Sequence, residues 1–227
     1  MTDNLNLIVA AGGCSERFGT KDKLLEMLGD LPVFLHCIRN FAPLCKRGQM
    51  IVAVRREALD TYRQYAEKCL PGTEITFVPG GTDRCASVRN ALAALSAEVG
   101  LVAIHDAARP LASAALLQNV AERAGICGGA VAALRVVDSL KRVDDNGVVL
   151  EPVSRDNLFR AETPQVFDIR KIRQAYGSVD CSGVTDDAEI MRRAGFAVEV
   201  VDSGQFNLKL TRETDLELLK IYFTAGT

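Results

Sequence analysis

The sequence predicts a doubly wound, mostly parallel α/β fold, in which helices cover both faces of a central sheet. Short apolar runs without period-two alternation recur along the chain, and stretches with helical periodicity separate them. Strands of this kind are typical of parallel sheets that are buried on both faces. With 227 residues, 48% of them hydrophobic, the chain can bury the core of such a domain. We therefore expect one domain over residues 1–227.

Strands and helices are predicted to alternate through the first part of the chain. The apolar runs predict strands at residues 5–9, 50–54, 74–78, 99–104 and 129–137. The amphipathic runs between them predict helices at residues 33–41, 57–69, 84–95 and 112–124. This alternation is what favours a parallel sheet with crossover helices.

A β-hairpin interrupts the alternation. Two alternating runs, residues 139–143 and 148–152, flank Asn146-Gly147, which is a strong hairpin signal. The hairpin has too few apolar residues to be stable alone. We predict a protruding arm at about residues 138–157 that packs on another surface, with a second subunit as the candidate.

Regular structure is predicted to resume after the arm. The expected strands are residues 166–168, 198–201 and 206–210, and the expected helices are residues 169–176 and 185–194, with one more helix near the end of the sequence.

Composition excludes several classes of function. A net charge of −2 argues against a nucleic-acid partner, and no apolar run reaches membrane-spanning length. The first four residues lack the basic start of a secretory signal. The seven cysteines are scattered, without a Cys-x-x-Cys pair, which favours reduced thiols and a cytoplasmic location.

A glycine-containing loop follows the first predicted strand. Gly12 and Gly13 are followed within ten residues by the cations Arg17, Lys21 and Lys23. Without bulky side chains, the loop lets backbone N–H groups approach phosphate oxygens, and the cations supply charge. The loop therefore predicts a site for a nucleotide triphosphate.

A second pair of glycines lies between the strand at 74–78 and the next helix. Gly80 and Gly81 permit close approach of a ligand, and Thr82 or Ser87 could either bind a base or cap the helix. This segment alone leaves both interpretations open.

A third polar cluster follows the strand at residues 99–104. Asp106 is placed where metals are held in this architecture, and Mg²⁺ prefers one or two carboxylates together with phosphate oxygens. Arg109 could bind a second anion. His105 has no partner for metal binding nearby, so we interpret it as a packing residue.

Lys209 forms the fourth cluster, flanked by Leu208 and Leu210. It is either on the exposed side of a half-buried strand or aimed inward at a phosphate. Ligands of open α/β sheets bind at the carboxyl ends of the strands, so we expect the four clusters to converge.

In this order, the motifs resemble the 2-C-methyl-D-erythritol 4-phosphate cytidylyltransferase family over about residues 7–222. The motifs that carry the resemblance are Ala10-Ala11-Gly12, Gly80-Gly81-x-x-Arg84-x-x-Ser87-Val88, His105-Asp106-Ala107-Ala108-Arg109-Pro110, Thr163-Pro164-Gln165, Thr185-Asp186-Asp187-Ala188 and Asn207-Leu208-Lys209-Leu210-Thr211. One departure is the spacing from Gly12 to Arg17, which is one residue longer than is typical, while the interval to Lys23 is one shorter.

The resemblance implies a Rossmann-like nucleotidyltransferase that moves CMP from CTP to methylerythritol phosphate and releases pyrophosphate. It implies catalytic roles for Arg17, Lys23, Arg155 and Lys209. The residues implied to bind CTP are Ala10, Ala11, Gly12, Gly13, Gly80, Gly81, Thr82, Arg84 and Ser87. Those implied to bind the acceptor are Asp106, Arg109, Ser139, Arg155, Thr163 and Lys209, and Asp106 would also hold Mg²⁺ or another divalent cation.

The resemblance also implies a homodimer formed through the arm. Ser139, Arg155 and Thr163 would then serve the site of the neighbouring subunit. This expectation agrees with the hairpin, which the residues alone predict to need a packing surface.

The chemistry expected from the residues agrees with such a transfer. A phosphate monoester is already a nucleophile, so no Ser-His-Asp arrangement is needed, and we find none. Cations and a metal suffice to bring two polyanions together.

Two alternatives remain open at this point. Another polyol phosphate, such as ribitol 5-phosphate, could accept the CMP. The glycine loop also allows an NADP-dependent reductase, with Arg55-Arg56 binding the 2′-phosphate, although the chain has neither a full Gly-x-Gly-x-x-Gly motif nor a Tyr-x-x-x-Lys pair.

Overall fold

The computed structural model describes residues 5–13, 18, 22–45, 49–204 and 207–225. The strands within these residues are β1 (Asn6–Ala11), β2 (Met27–Leu28), β3 (Leu31–Pro32), β4 (Met50–Val54), β5 (Thr76–Pro79), β6 (Leu101–Asp106), β7 (Gly129–Arg135), β8 (Leu140–Val143), β9 (Val149–Val153), β10 (Phe159–Asp168) and β11 (Glu199–Asp202). The α-helices are α1 (Val33–Phe41), α2 (Leu59–Cys69), α3 (Arg84–Ala94), α4 (Ala114–Cys127), α5 (Ile169–Ser178), α6 (Asp187–Arg193) and α7 (Glu213–Ala225).

Seven strands form one sheet in the order β11-β7-β10-β6-β1-β4-β5. Every neighbouring pair is parallel except those of β10, which runs antiparallel to both β6 and β7. The predicted doubly wound, mostly parallel sheet is therefore confirmed.

The length of β10 differs from the prediction. The sequence predicts a short strand at residues 166–168, but β10 begins at Phe159 and the register shifts between Ala161 and Gln165. Pro164 lies in this irregular segment. A proline has no N–H for the hydrogen bonds between strands, so its presence argues against a strand in the sequence. Here the bulge accommodates Pro164 within β10.

The predicted strand at residues 206–210 is wrong where the structure describes it. Residues 207–210 have no regular secondary structure. The N–H of Leu210 donates to the carbonyl of Ala108 over 2.8 Å. This bond attaches the segment to the loop after β6, so Lys209 lies beside that loop.

The core lies on both faces of the sheet, as the lack of alternation in the strands predicts. Leu7 and Val9 of β1 pack in a cluster with α1, α2, α4 and α7, while Ile8 packs on the opposite face with α3, α5 and α6. Because helices cover both faces of the sheet, a ligand can reach the sheet only at the edge where the strands end.

The predicted hairpin arm is present as the antiparallel pair β8 and β9, which form a separate two-stranded sheet. Its apolar side chains are unusually open to solvent: Val148 is 59% exposed, Val149 58% and Leu150 60%. A two-stranded hairpin with this exposure needs a packing partner for stability.

The prediction that all seven cysteines are free thiols is wrong for one pair. Cys85 and Cys181 are joined by a disulfide, with their Cα atoms 6.4 Å apart. The two positions are 96 residues apart in sequence, and only the packing of α3 beside the loop before α6 brings them together.

Among the described residues, no helix has the length and apolarity needed to cross a membrane.

Candidate active site

The register of the central strands brings the predicted clusters together. Asp106 of β6 pairs with Ala10 of β1, and Val54 of β4 lies between Ala11 of β1 and Pro79 of β5. The residues that follow these strands therefore meet at one edge of the sheet. The predicted convergence is confirmed for the described residues.

Three neighbouring cavities, which share lining residues, make up the cleft along this edge. The glycine-loop pocket, about 340 Å³, is lined by Ala10, Gly12, Gly13, Lys23, Leu24, Thr82, Asp83, Arg84, Ser87, Asp106, Ala108 and Lys209. The inner pocket, about 170 Å³, is lined by Arg84, Asp106, Arg109, Ala161, Glu162, Thr163, Gln165, Thr185, Asp186 and Lys209. The outer pocket, about 400 Å³, is lined by Arg109, Leu134, Arg160, Ala161, Glu162, Asn207, Leu208 and Lys209. The shared Lys209 borders all three.

Close packing explains the glycines of the second loop. A Cβ on Gly81 would lie 2.2 Å from the Cβ of Ala86, a contact that no side chain could make without moving the loop. The N–H of Gly81 donates to the hydroxyl of Ser87 over 3.0 Å, and that hydroxyl donates to the carbonyl of Asp83 over 2.8 Å. The loop is thus tied to the start of α3.

Helix α3 is capped by a residue that sequence reasoning did not choose. The carboxylate of Asp83 accepts from the N–H of Ala86 over 2.7 Å, so neither Thr82 nor Ser87 is the N-cap. Ser87 is buried and ties the loop, while the exposed Thr82 lines the glycine-loop pocket. This capping points Arg84, the first residue of α3, into the cleft.

Asp106 lies between two cations at the junction of the glycine-loop and inner pockets. Arg84 Nε donates to Oδ1 over 3.0 Å, and Lys209 Nζ donates to Oδ2 over 2.6 Å. Burial raises the pKa of Asp106, but the charges of Arg84 and Lys209 outweigh burial and hold that pKa well below its usual range. Asp106 is therefore an anion at neutral pH, with Lys209 aimed inward.

A buried carboxylate for which the sequence predicted no role holds Arg84 in place. Asp187 is fully buried; its Oδ2 accepts from Arg84 Nη2 over 2.7 Å and its Oδ1 from the hydroxyl of Tyr176 over 2.5 Å. Burial lowers the pKa of Arg84, but Asp187 and Asp106 raise it well above its ordinary value. The adjacent Asp186 caps α6. Two consecutive acidic residues at the start of this helix were the sequence signal that could have pointed to Asp187.

Thr163 lies in the cleft of its own chain, contrary to the expectation that it serves a neighbouring subunit. Its hydroxyl accepts from the N–H of Asp106 over 3.1 Å and lies 3.1 Å from His105 Nδ1. It orients the loop after β6. Because β10 is hydrogen-bonded to β6 in the central sheet, Thr163 belongs to that sheet and not to the arm.

His105 is a packing residue, as predicted. It is fully buried, its ring lies 5.0 Å from the ring of Phe41, and its Nε2 lies 3.1 Å from the carbonyl oxygen of Arg109. Burial lowers the pKa of His105 to about 4.

The cations predicted around the glycine loop are only partly described. Lys23 lines the glycine-loop pocket. Asp22 beside it accepts from Arg55 and from Tyr62, each over 3.1 Å, which fixes the position of this segment. Arg17 and Lys21 lie outside the described residues.

The structure does not bring Ser139 and Arg155 to the cleft of their own chain. Both are exposed, Ser139 just before β8 and Arg155 just after β9, where its guanidinium donates to the carbonyl of Val137. Neither lines any of the three pockets.

The donor set of the cleft suits a metal ion that takes ligands from a substrate. Within the described residues there is no group of three or more His, Cys, Asp or Glu side chains that could hold a metal. Asp106 supplies one carboxylate, which is what Mg²⁺ uses when phosphate oxygens and water complete its shell. Both oxygens of that carboxylate already accept hydrogen bonds, Oδ1 from Arg84 and Oδ2 from Lys209, whose side chain is 41% exposed.

A mostly parallel α/β sheet with a glycine loop, an acidic residue at the end of a central strand and cations along one cleft is typical of nucleotidyltransferases. These enzymes transfer a nucleoside monophosphate from a nucleoside triphosphate to an acceptor. Residues 5–225 match the family model described as IspD, 2-C-methyl-D-erythritol 4-phosphate cytidylyltransferase. The chain belongs to this family.

Individual relatives agree. The sequence is 33% identical to the 2-C-methyl-D-erythritol 4-phosphate cytidylyltransferase of Solibacter usitatus, with 92% of this chain and 88% of that protein covered. It is 34% identical to the enzyme of the same name from Bacillus mycoides, covering 92% and 93%. The crystal structure of the enzyme of the same name from Thermus thermophilus superposes with a TM-score of 0.76 at 26% identity, covering 97% of this chain and 99% of that one.

Proposed function

We propose that the protein transfers CMP from CTP to the phosphate of 2-C-methyl-D-erythritol 4-phosphate and releases pyrophosphate. Membership of the family supports this activity. The observation that carries it is Asp106 with Arg84 and Lys209 at the junction of two pockets, one beside the glycine loops and one beyond them. Two polyanions can meet there.

The proposed reaction is a direct displacement at the α-phosphorus of CTP. An oxygen of the acceptor phosphate forms a bond to that phosphorus, and the bond to the β-phosphate oxygen breaks, so that pyrophosphate leaves with its electron pair. The acceptor oxygen is already anionic, so no side chain needs to remove a proton. The work of the protein is positioning and stabilisation of charge.

The cleft divides this work between its residues. We assign the nucleotide to the glycine-loop pocket, where Gly12 and Gly13 on the lining allow close backbone approach. Lys23 and Lys209 stabilise the negative charge that develops at the α-phosphate. Arg84 holds Asp106 in place and is itself held by the buried Asp187.

We propose Mg²⁺, or another divalent cation, as the cofactor. Asp106 would hold it, and when bound the ion neutralises charge on the triphosphate. Chelation with EDTA should abolish pyrophosphate release, and added Mg²⁺ should restore it. Full activity in EDTA would contradict the assignment.

We also propose a homodimer formed through the arm. The exposed apolar residues of the arm need cover, and Ser139 and Arg155 are placed on it rather than in the cleft of their own chain. Leu150→Glu should shift the mass measured by light scattering from dimer to monomer and lower the activity. A monomeric wild-type protein would refute the proposal.

The acceptor is tested by pyrophosphate release with CTP, Mg²⁺ and each polyol phosphate in turn. We expect activity with 2-C-methyl-D-erythritol 4-phosphate. Activity only with ribitol 5-phosphate would refute the choice of acceptor. An increase in nicotinamide fluorescence on titration with NADPH would instead support the reductase, which the family match does not favour.

The described geometry around Arg55 also weighs against that reductase. Its guanidinium lies 3.1 Å from Asp22 and 3.6 Å from Glu57, so two carboxylates already engage it.

The cytoplasmic location stays a prediction.

A further inference from the structure

The disulfide joins two segments that both supply residues to the cleft. Cys85 is the second residue of α3 and is buried, while Cys181 is half-buried in the loop before α6. Cys85 directly follows Arg84, and the loop that contains Cys181 leads to Asp187, the first residue of α6. The covalent link therefore connects the same two segments as the ion pair between Arg84 and Asp187.

Hydrogen bonds attach the Cys181 loop to α6 as well. Arg193, the last residue of α6, donates from Nη1 to the carbonyls of Asp180 and Ser182 over 3.4 Å and 3.1 Å. A bond from α3 also reaches the loop, since Arg89 Nη2 donates to Cys181 Sγ over 3.2 Å. Opening the disulfide therefore leaves the loop attached to α6 and weakens its attachment to α3.

The two sulfur atoms differ in exposure and in the charge around them. Cys181 lies beside the guanidinium of the exposed Arg89, which attracts an anionic thiolate. Cys85 is only 9% exposed and lies in the first turn of α3, where the helix N-terminus stabilises negative charge. An incoming thiolate therefore attacks Cys181, and the sulfur of Cys85 leaves.

We propose that Cys85 and Cys181 form a reversible thiol–disulfide site that controls how firmly Arg84 is held in the cleft. The reductant is a low-molecular-weight thiol. Its thiolate bonds to Cys181 Sγ as the bond between the two cysteines breaks, and the Cys85 sulfur keeps the electron pair and takes a proton from solvent. A second thiolate attacks the added sulfur, which forms a free disulfide and releases Cys181. The protein thus gains two electrons and two protons while two thiols are oxidised, and a low-molecular-weight disulfide reverses the reaction.

The consequence for catalysis rests on the proposed function. Arg84 Nε donates to Asp106 over 3.0 Å, and Nη2 donates to Asp187 over 2.7 Å. With the disulfide closed, α3 and the loop before α6 are held together, so that one guanidinium reaches both carboxylates. With it open, the two segments can separate and Asp106 loses part of its support. Disulfides in the cytoplasm, the predicted location, are usually transient and redox-sensing, which agrees with this role.

The test compares the folded protein after incubation with reduced or with oxidised glutathione, without denaturant. Free thiols are then alkylated in urea with iodoacetamide and located by peptide mass spectrometry. We expect alkylation of Cys85 and Cys181 only after reduction, and a fall of about 2- to 30-fold in kcat/KM for CTP that reoxidation reverses. Because the disulfide closes a loop across 96 positions, its reduction should also lower the urea midpoint by about 1 to 2 M.

Cys181→Ser should show the activity of the reduced wild type in both buffers. Cys127→Ser is the matched control, since Cys127 is a free thiol at the end of α4, and this variant should keep the redox response. A disulfide that glutathione cannot open in the folded protein would overturn the inference, as would equal kcat/KM in the two buffers once it is open.

A wild-type protein inactive in both buffers would instead overturn the proposed function. The positions of the alkylated thiols and the urea midpoint would then decide the redox site. If Cys181→Ser does not fold, the comparison within the wild type decides alone.

Discussion

The buried imidazole of His105 makes the free energy of unfolding depend on pH, because burial lowers its pKa. The imidazole is fully buried, and its neutral form satisfies both ring nitrogens when Nε2–H donates to the carbonyl of Arg109 and Nδ1 accepts from the hydroxyl of Thr163. Protonation would place a second N–H against that hydroxyl, which already accepts from the N–H of Asp106. The fold therefore resists the charged form.

The magnitude follows from the two pKa values. Burial lowers the pKa of His105 from 6.5 to about 4 in the folded protein. Above pH 6.5 the group is neutral in both states and its full contribution to stability is present. As the pH falls from 6.5 to 4, only the unfolded chain takes up the proton, so stability is lost. The difference corresponds to about 3 kcal/mol.

The assay is urea unfolding of the wild type and of His105→Gln between pH 7.5 and 4.5. Glutamine can still donate a hydrogen bond, but it does not titrate. We expect the wild type to lose about 2 to 3 kcal/mol more than the variant over this range. His36, whose pKa burial also lowers, remains in both proteins and cancels in the comparison. Equal losses in the two proteins would refute the reasoning.

Three further substitutions, one of them with a matched control, test the described contacts. Lys209→Met should lower kcat about 10²- to 10³-fold while changing the free energy of unfolding by less than about 1 kcal/mol, because the ion pair is partly exposed; unchanged kcat would contradict its role. Gly81→Ala should raise the KM for CTP and lower the free energy of unfolding by about 1 to 3 kcal/mol, because its Cβ would strike Ala86. Gly177→Ala, in α5 with no atom near its Cβ, should not destabilise the fold; equal effects of the two alanines would remove the steric argument. Asp187→Asn should cost about 3 kcal/mol in urea unfolding, since it leaves a buried guanidinium poorly compensated, and a stability equal to the wild type would exclude that ion pair.

The local patterns of the sequence predict much of the fold. Apolar runs and helical periodicity are properties of neighbouring residues, so α1 and β4 could be placed at their observed bounds. The sequence also places Asp106 just after a buried strand at residues 99–104; β6 runs two residues further and ends at Asp106 itself. The glycine loops and the hairpin turn are likewise local signals.

Contacts between distant segments could only be seen in the folded chain. Arg84 and Asp187 are 103 residues apart and form an ion pair because α3 and α6 meet at the same sheet edge. Thr163 belongs to the cleft of its own chain because β10 inserts antiparallel beside β6, a pairing that Pro164 conceals in the sequence. Glu162 lies 4.0 Å from Arg109 because β10 runs beside β6, which no local pattern of the sequence shows. Sequence alone determined the elements and the residue types at their ends; the tertiary structure decided which charges face each other, because that depends on which elements pack together.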